Sequence, residues 1–248
     1  MSNRRNFVKN TILASAGLAG LGAVTSAYAM PGRKTGPSDR IRVALIGGRN
    51  MGWSNLETFL KFPQVQCVSI CDIDDEWLNK RASDVEKIAG KKPPQLVKDW
   101  RKVMDNRDVD AVIVATPDHW HCLQAIAAME AGKDVYCEKP LANSIAECDA
   151  MVRAARKHKR IVQTGQWQRS DPHWQDAVAF IHSGKLGRIR TVKVWAYMIW
   201  KKTLPVQPDG PVPPGVDYEM WLGPARHRTF NPNRFHYTSG TSGIMPED

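Results

Sequence analysis

Ile41-Arg42-Val43-Ala44-Leu45-Ile46-Gly47-Gly48-Arg49-Asn50-Met51-Gly52 is the stretch on which the fold turns. A short aliphatic run ends in paired glycines, and residues 51–61 then carry apolar side chains near helical spacing. That is a strand, a tight turn and a helix. Its last six residues keep the frame G-x-G-x-x-G with Arg49 standing where the second Gly belongs. In this frame the first Gly makes the turn, the second lets backbone approach a pyrophosphate, and the third lets helix pack on strand. Gly47 and Gly52 can fill the first and third roles, and Arg49 can compensate with a guanidinium on the phosphates. Taken alone, the degraded fingerprint reads equally well as a plain tight turn.

Asp72 changes the balance. It closes a second strand, 65–70, and follows Gly52 at the distance where a carboxylate accepts hydrogen bonds from ribose hydroxyls. An acid there repels a 2′-phosphate, so NAD is favoured and NADP is the lesser alternative. From residue 40 onward strands and helices alternate. A helix over 75–89 has Asp74 or Asp75 as its cap and Gly90 at its end, and a weak strand at 95–97 precedes a short helix at 100–104. The apolar run 111–115 reads as a strand buried on both faces. Helix 119–131 closes on Gly132, and strand 134–137, helix 145–157 after the cap Ser144, and strand 160–164 complete the series. Such alternation predicts βαβ units and a doubly wound parallel sheet covered on both sides.

Two further strand ends would open on the same crevice, since ligands of open α/β sheets bind beyond the carboxyl ends of the strands. Ala115-Thr116-Pro117-Asp118-His119-Trp120-His121 follows the fourth strand and Cys137-Glu138-Lys139-Pro140-Leu141 the fifth. His119 and His121 read either as crevice residues or as helix-start and surface histidines. Glu138 and Lys139 are either an ordinary surface ion pair or an acid and a base aimed by a stiff proline. An ammonium with three donors suits orienting a sugar hydroxyl and a nicotinamide ribose together.

Composition bounds the rest. The 248 residues are 42% apolar and 24% charged, with 18 Gly and 16 Pro, which excludes disordered, collagenous and coiled-coil chains. The one long apolar run is at the N-terminus, which excludes a multi-span membrane protein. Residues 1–29 hold three of the cations and no acid, so without them the net charge of +10 falls to +7. The remaining positives are scattered among acids with no reading motif, so nucleic acid is not an expected partner. Arg4-Arg5-Asn6-Phe7-Val8, a mildly apolar stretch rich in Gly and Ala, and Ala27-Tyr28-Ala29 read as a cleavable export signal. The paired arginines resemble a twin-arginine signal, with the translocase as a transient partner, cleavage after Ala29, a periplasmic destination and no membrane span afterwards. Residues 30–39 are a linker. Cys67, Cys71, Cys122, Cys137 and Cys148 have neither a CxxC nor zinc-type His spacing, so no metal is expected, and their odd number argues against a complete disulfide framework.

Leu45-Ile46-Gly47 with Gly52, Cys71-Asp72-Ile73-Asp74, the 115–121 and 138–141 segments, Gln166-Trp167-Gln168-Arg169 and Gly184-Lys185-Leu186-Gly187 together resemble the Gfo/Idh/MocA oxidoreductases, including their exported branch. The resemblance runs from residue 40 to about 240. It implies a Rossmann domain at 40–165 and a second, partial α+β domain at 166–248 built on a mainly antiparallel sheet, the surface through which a homo-oligomer is expected. It also implies a tightly held NAD or NADP and a carbohydrate or polyol substrate. Lys139 corresponds to the family's active-site lysine. Thr116, Pro117, His121 and Glu138 would line the cofactor beside Gly47, Arg49, Asn50, Met51, Gly52 and Asp72. Gln166 and Arg169 would stand near the nicotinamide or the substrate.

The likeness departs at the far end. The family's acid/base is a His four residues after an Asp, and residues 243–248 resemble the approach to that motif with Asp248 as its Asp. The His position lies past the last residue, so this chain is expected to bind NAD but to turn over weakly. A strand at 189–199 would begin the second sheet, after a helix at 171–183. Three functions follow: a sugar or polyol oxidoreductase, an NAD-dependent glycoside hydrolase that oxidises its sugar transiently, and a nucleotide-binding member without turnover.

Overall fold

The computed structural model describes residues 40–93, 95–195 and 206–235. The signal peptide and linker read from residues 1–39 and the motif read at 243–248 lie outside them. Six strands form one parallel sheet: β1 (Ile41–Ile46), β2 (Val65–Cys71), β3 (Gln95–Val97), β4 (Ala111–Val114), β5 (Asp134–Cys137) and β6 (Val162–Thr164), in the order β3-β2-β1-β4-β5-β6. The register sets Ile46 opposite both Cys71 and Val114, Val114 opposite Cys137, and Cys137 opposite Thr164. The carboxyl ends of five strands therefore finish level, and the loops that follow them open side by side.

The aliphatic run of β1 explains why the sheet is covered twice. Successive side chains of a strand point to opposite faces. Val43 and Leu45 pack with Leu56, Leu78 and Val85, whereas Ala44 and Ile46 pack with Val112, Val114, Ala125 and Met129. Helices α1 (Asn50–Leu60) and α2 (Asp75–Ala89) thus cover one face. The short α3 (Arg101–Asp105), with α4 (Asp118–Glu130) and α5 (Ile145–His158), covers the other. Between its two candidates the α2 cap is Asp74, whose side chain accepts the Glu76 N–H, and Gly90 at φ 73° ends the helix. Ser144 and Glu147 form a reciprocal capping box on α5.

Several limits move. Helix α1 begins at Asn50, α3 at Arg101 and α4 at Asp118, each a residue away from the sequence reading. Strand β6 is shorter than 160–164, because Lys159 turns left-handed at φ 53° and Arg160 N–H closes onto Ala155 O. Arg160 is spent on ending α5, while Ile161 O still accepts the Val135 N–H of β5 just ahead of β6. Past β6 come a 3-10 turn, Trp167–Ser170, and α6 (Pro172–His182), whose residues are all exposed. The strand expected at 189–199 is not found: 189–195 have no regular structure, and 196–199 lie outside the described residues. A strand exists only with a ladder partner, and among the described residues none lies beside it; Val192 and Val194 project into solvent.

Residues 206–235 fold back onto the carboxyl edge through α7 (Tyr218–Leu222) and an apolar cluster of Tyr218, Leu222, Phe230 and Phe235. All five cysteines are free, and four of them are buried. Among the described residues no helix is long and apolar enough to cross a membrane.

A candidate dinucleotide site

The glycine turn is built as its frame requires. Gly47 lies at φ 88° with its N–H donating to Cys71 O, and a Cβ there would stand 2.6 Å from Ala115 O. At Gly52 a Cβ would overlap Gly47 O. Both positions are held to glycine by close backbone approach, and the result is a cradle of main chain between the ends of β1, β2 and β4. Arg49 caps α1 in extended conformation without a side-chain hydrogen bond to the helix, and no acid stands in the first turn. The Gly52 N–H donates to Arg49 O, and the first turn, without a side-chain cap, is open to an anion. Its guanidinium lies over the Trp77 ring at 5.2 Å, on the β2–α2 side, where burial lowers its pKa and the charges of Asp74, Asp72 and Glu76 oppose that shift.

Asp72 ends β2 almost fully buried. Its carboxylate accepts the Gly48 N–H at 2.7 Å and the Asp74 N–H at 3.1 Å. Burial raises its pKa, and those two donors pull it back. The carbonyl side of Gly48 is held too, by Arg81 Nε at 2.7 Å. Arg81 is buried between Trp53 and Trp77 and paired with Asp84. The turn is therefore gripped at both ends by side chains from the β2–α2 unit. Sequence reading missed Arg81, although its place among Leu78, Ala82 and Val85 on the buried face of α2 was the available signal.

After β4, Thr116 Oγ1 donates to the buried Gln124 at 2.7 Å, and Pro117 precedes α4. His121 corrects an expectation. It does not face the cavity, because its ring nitrogens stand 2.7 Å from Thr116 O and Pro140 O. The imidazole joins the loop after β4 to the loop after β5, and it positions the crevice instead of lining it. His119 likewise has Nε2 at 2.8 Å from Trp221 O.

After β5, Glu138 is buried and accepts from Asn55 Nδ2 of α1 at 2.8 Å and from the Lys139 N–H at 3.0 Å. Lys139 is exposed, and among the described residues no carboxylate pairs with its ammonium. Cys71 and Cys137 stand at the same strand ends; burial keeps both thiols protonated, that of Cys137 being pushed up to about 12. Thiolate chemistry has no place here.

One cavity of about 300 Å³ runs along this edge. Gly47, Arg49, Asn50, Met51 and Asp72 line one stretch of it, and Thr116, Pro117, Glu138 and Lys139 another. Gly52 lies behind the turn. Gln166 and Arg169 follow β6 at the neighbouring strand end, exposed and outside the cavity wall. The wall also holds Trp100, Trp120, Met220 and Trp221, which sequence reading did not assign; Met220 and Trp221 belong to a distant segment that only folding brings here. Backbone glycines that no Cβ could replace, an uncapped helix start and a carboxylate at the second strand's end fit a dinucleotide.

Known proteins agree with this geometry. Residues 41–166 match an oxidoreductase family described by its NAD-binding Rossmann fold, and residues 180–241 match the C-terminal α/β domain of the same family. A glycosyl hydrolase family 109 protein of Shewanella baltica is 32% identical over 173 residues, 64% of this chain and 38% of that protein. An uncharacterised oxidoreductase of Bacillus subtilis, YrbE, is 26% identical over 74% of this chain and 49% of its own length. The crystal structure of myo-inositol 2-dehydrogenase from Lactobacillus plantarum superposes with a TM-score of 0.54 at 27% identity, covering 60% of this chain and 43% of that one. The chain spans less than half the length of each of these relatives. With its glycine cradle, its parallel sheet and both domain matches, the chain belongs to the Gfo/Idh/MocA family of oxidoreductases, and its residues 41–166 are that family's NAD-binding Rossmann domain.

Proposed function

We propose that the protein oxidises a hydroxyl group of a carbohydrate or polyol with NAD held along the cavity. The observation that carries this reading is a single cavity with Asp72 toward one end and Lys139 toward the other, beyond strands β2 and β5 on opposite sides of the β1–β4 pair. When bound, the nicotinamide would accept the hydride from the carbinol carbon, and the hydroxyl proton would leave to solvent at the exposed Lys139 end. Gly47 and the start of α1 hold the diphosphate, and Asp72 accepts from ribose hydroxyls. The acid favours NAD over NADP. Lys139 donates to the substrate hydroxyl and fixes its orientation, and Glu138, anchored by Asn55, holds the Lys139 backbone in place. Gln166 and Arg169 serve the substrate side from beyond β6.

Lys139→Ala should bind NAD within a few-fold of wild type, because the cradle and Asp72 are untouched, and should lose turnover on every polyol or sugar that wild type oxidises. Calorimetry with NAD and NADP, then NADH absorbance over a panel of inositols and hexoses, measures both. Absence of NAD binding by the wild-type chain would end the reading.

Similarity to the family 109 hydrolase favours a second reading, in which the sugar is oxidised transiently and a glycosidic bond is cut. Release of an aglycone without net NADH separates the two. On residues 1–29 we further place a twin-arginine signal and a periplasmic destination, supported by Arg4-Arg5 and Ala27-Tyr28-Ala29 alone.

A further inference from the structure

Residues 206–235 belong to no strand of the parallel sheet, yet they return to its carboxyl edge and stay there. Asp217 N–H donates to Ile73 O at 2.9 Å, and Gly215 O accepts from Asp75 N–H at 3.2 Å and Lys98 Nζ at 2.6 Å. Trp120 Nε1 donates to Met220 O at 2.9 Å and reaches Trp221 O at 3.2 Å, while His119 Nε2 meets the same Trp221 carbonyl. Gly223 passes so near the Trp120 ring that a Cβ there would overlap it. The segment carries its own core, in which the Tyr218 ring stacks on Trp221 at 5.4 Å and Phe235 meets Trp221 edge-on at 5.6 Å. This is a fastened strap, not a loose loop.

The fastenings at Ile73, Asp75 and Lys98 follow β2 and β3, the end marked by Asp72, across the β1–β4 pair from Lys139. Those at His119 and Trp120 stand at the start of α4, just after β4, and the Trp120 ring meets that of Trp100, which follows β3, at 5.8 Å. Two strap side chains, Met220 and Trp221, enter the cavity wall beside Ile73, Trp100 and Trp120. A wall of indoles and a thioether next to a ribose-accepting carboxylate suits a flat aromatic base. Base-on-indole stacking tolerates any purine face and needs no hydrogen-bond code.

We infer that residues 215–223 roof the adenosine end of the cavity, with Trp221 and Met220 as adenine-contacting residues, and that this strap sets how long the cofactor is retained. The inference rests on the cofactor reading above. Stacking against one aromatic side chain is worth about ten- to a hundredfold in affinity. Trp221→Leu should therefore weaken NAD and ADP-ribose alike by about that factor and speed NAD release correspondingly. ADP-ribose is the informative probe because it lacks nicotinamide, so its affinity reads the adenosine end apart from hydride transfer. Trp221 also packs on Tyr218 and Phe235, so Met220→Ala, which removes only cavity wall, is measured beside it and should weaken both ligands in the same direction.

Calorimetry on the full chain, with far-UV circular dichroism to confirm folding, and displacement of bound NAD by rapid mixing supply the readings. Folded variants that bind ADP-ribose like wild type, or a loss confined to NAD, overturn the strap. A wild-type chain that binds neither ligand overturns the cofactor reading itself, and the strap falls with it.

Discussion

Asp72 accepts the Gly48 N–H from inside the protein, where burial pushes its carboxyl above the ordinary carboxylate range. The same group thus ties the glycine turn to the end of β2. Linkage gives the sign. With a folded pKa above the unfolded value of about 3.9, the folded state holds the extra proton, so this contribution to stability is full below that value and lost as pH rises through the folded pKa. Asp72→Asn should remove that dependence: without ligand, its melting temperature should gain on wild type as pH climbs from about 4. The same variant should weaken NAD binding and narrow the preference over NADP. A pH-independent difference between the two melting curves would assign the titration to another group. Asp72 was legible in the sequence because its place just after a strand and beside the glycine turn follows from residue type and spacing. His121 was not, since which way an imidazole turns depends on the rotation of α4 and on where the Pro140 carbonyl falls.

At the scale of elements, β1 and β4 were plain from the aliphatic runs Val43–Ile46 and Ala111–Val114, because a strand segment buried on both faces needs apolar residues at every position. Helix α1 links the core to the site: Leu56 is fully buried beneath it, and Asn55, its neighbour in sequence, holds Glu138. Leu56→Ala should cost about 2–5 kcal/mol, read as a lower denaturant midpoint with the slope unchanged. A loss well under that range would mean that α1 settles into the space. The strand read at 189–199 shows the limit of pattern. Alternating Val192 and Val194 satisfy strand propensity, but propensity is largely a measure of fit to neighbours, and the neighbours are not in the sequence window.

For the whole molecule, the six strands of the described residues close between residues 41 and 164. Changing Arg4 and Arg5 together to Lys keeps the charge but removes the pair a twin-arginine translocase reads. The protein should then stay in the cytoplasm with residues 1–29 attached, as fractionation and intact mass would show; normal periplasmic recovery would indicate a general secretory signal instead. The sequence by itself determined the order of strands and helices, the glycine turn, and the carboxylate and the Glu138-Lys139 dipeptide at two strand ends, because each follows from local spacing and backbone sterics. Tertiary structure alone decided that Arg81 and Asn55 brace the site from the helices, that His121 joins two loops, and that Met220 and Trp221 close the cavity beside Asp72. Those contacts join residues tens to well over a hundred positions apart, and only the packing of helices and strap on a finished sheet brings such side chains within a few ångströms.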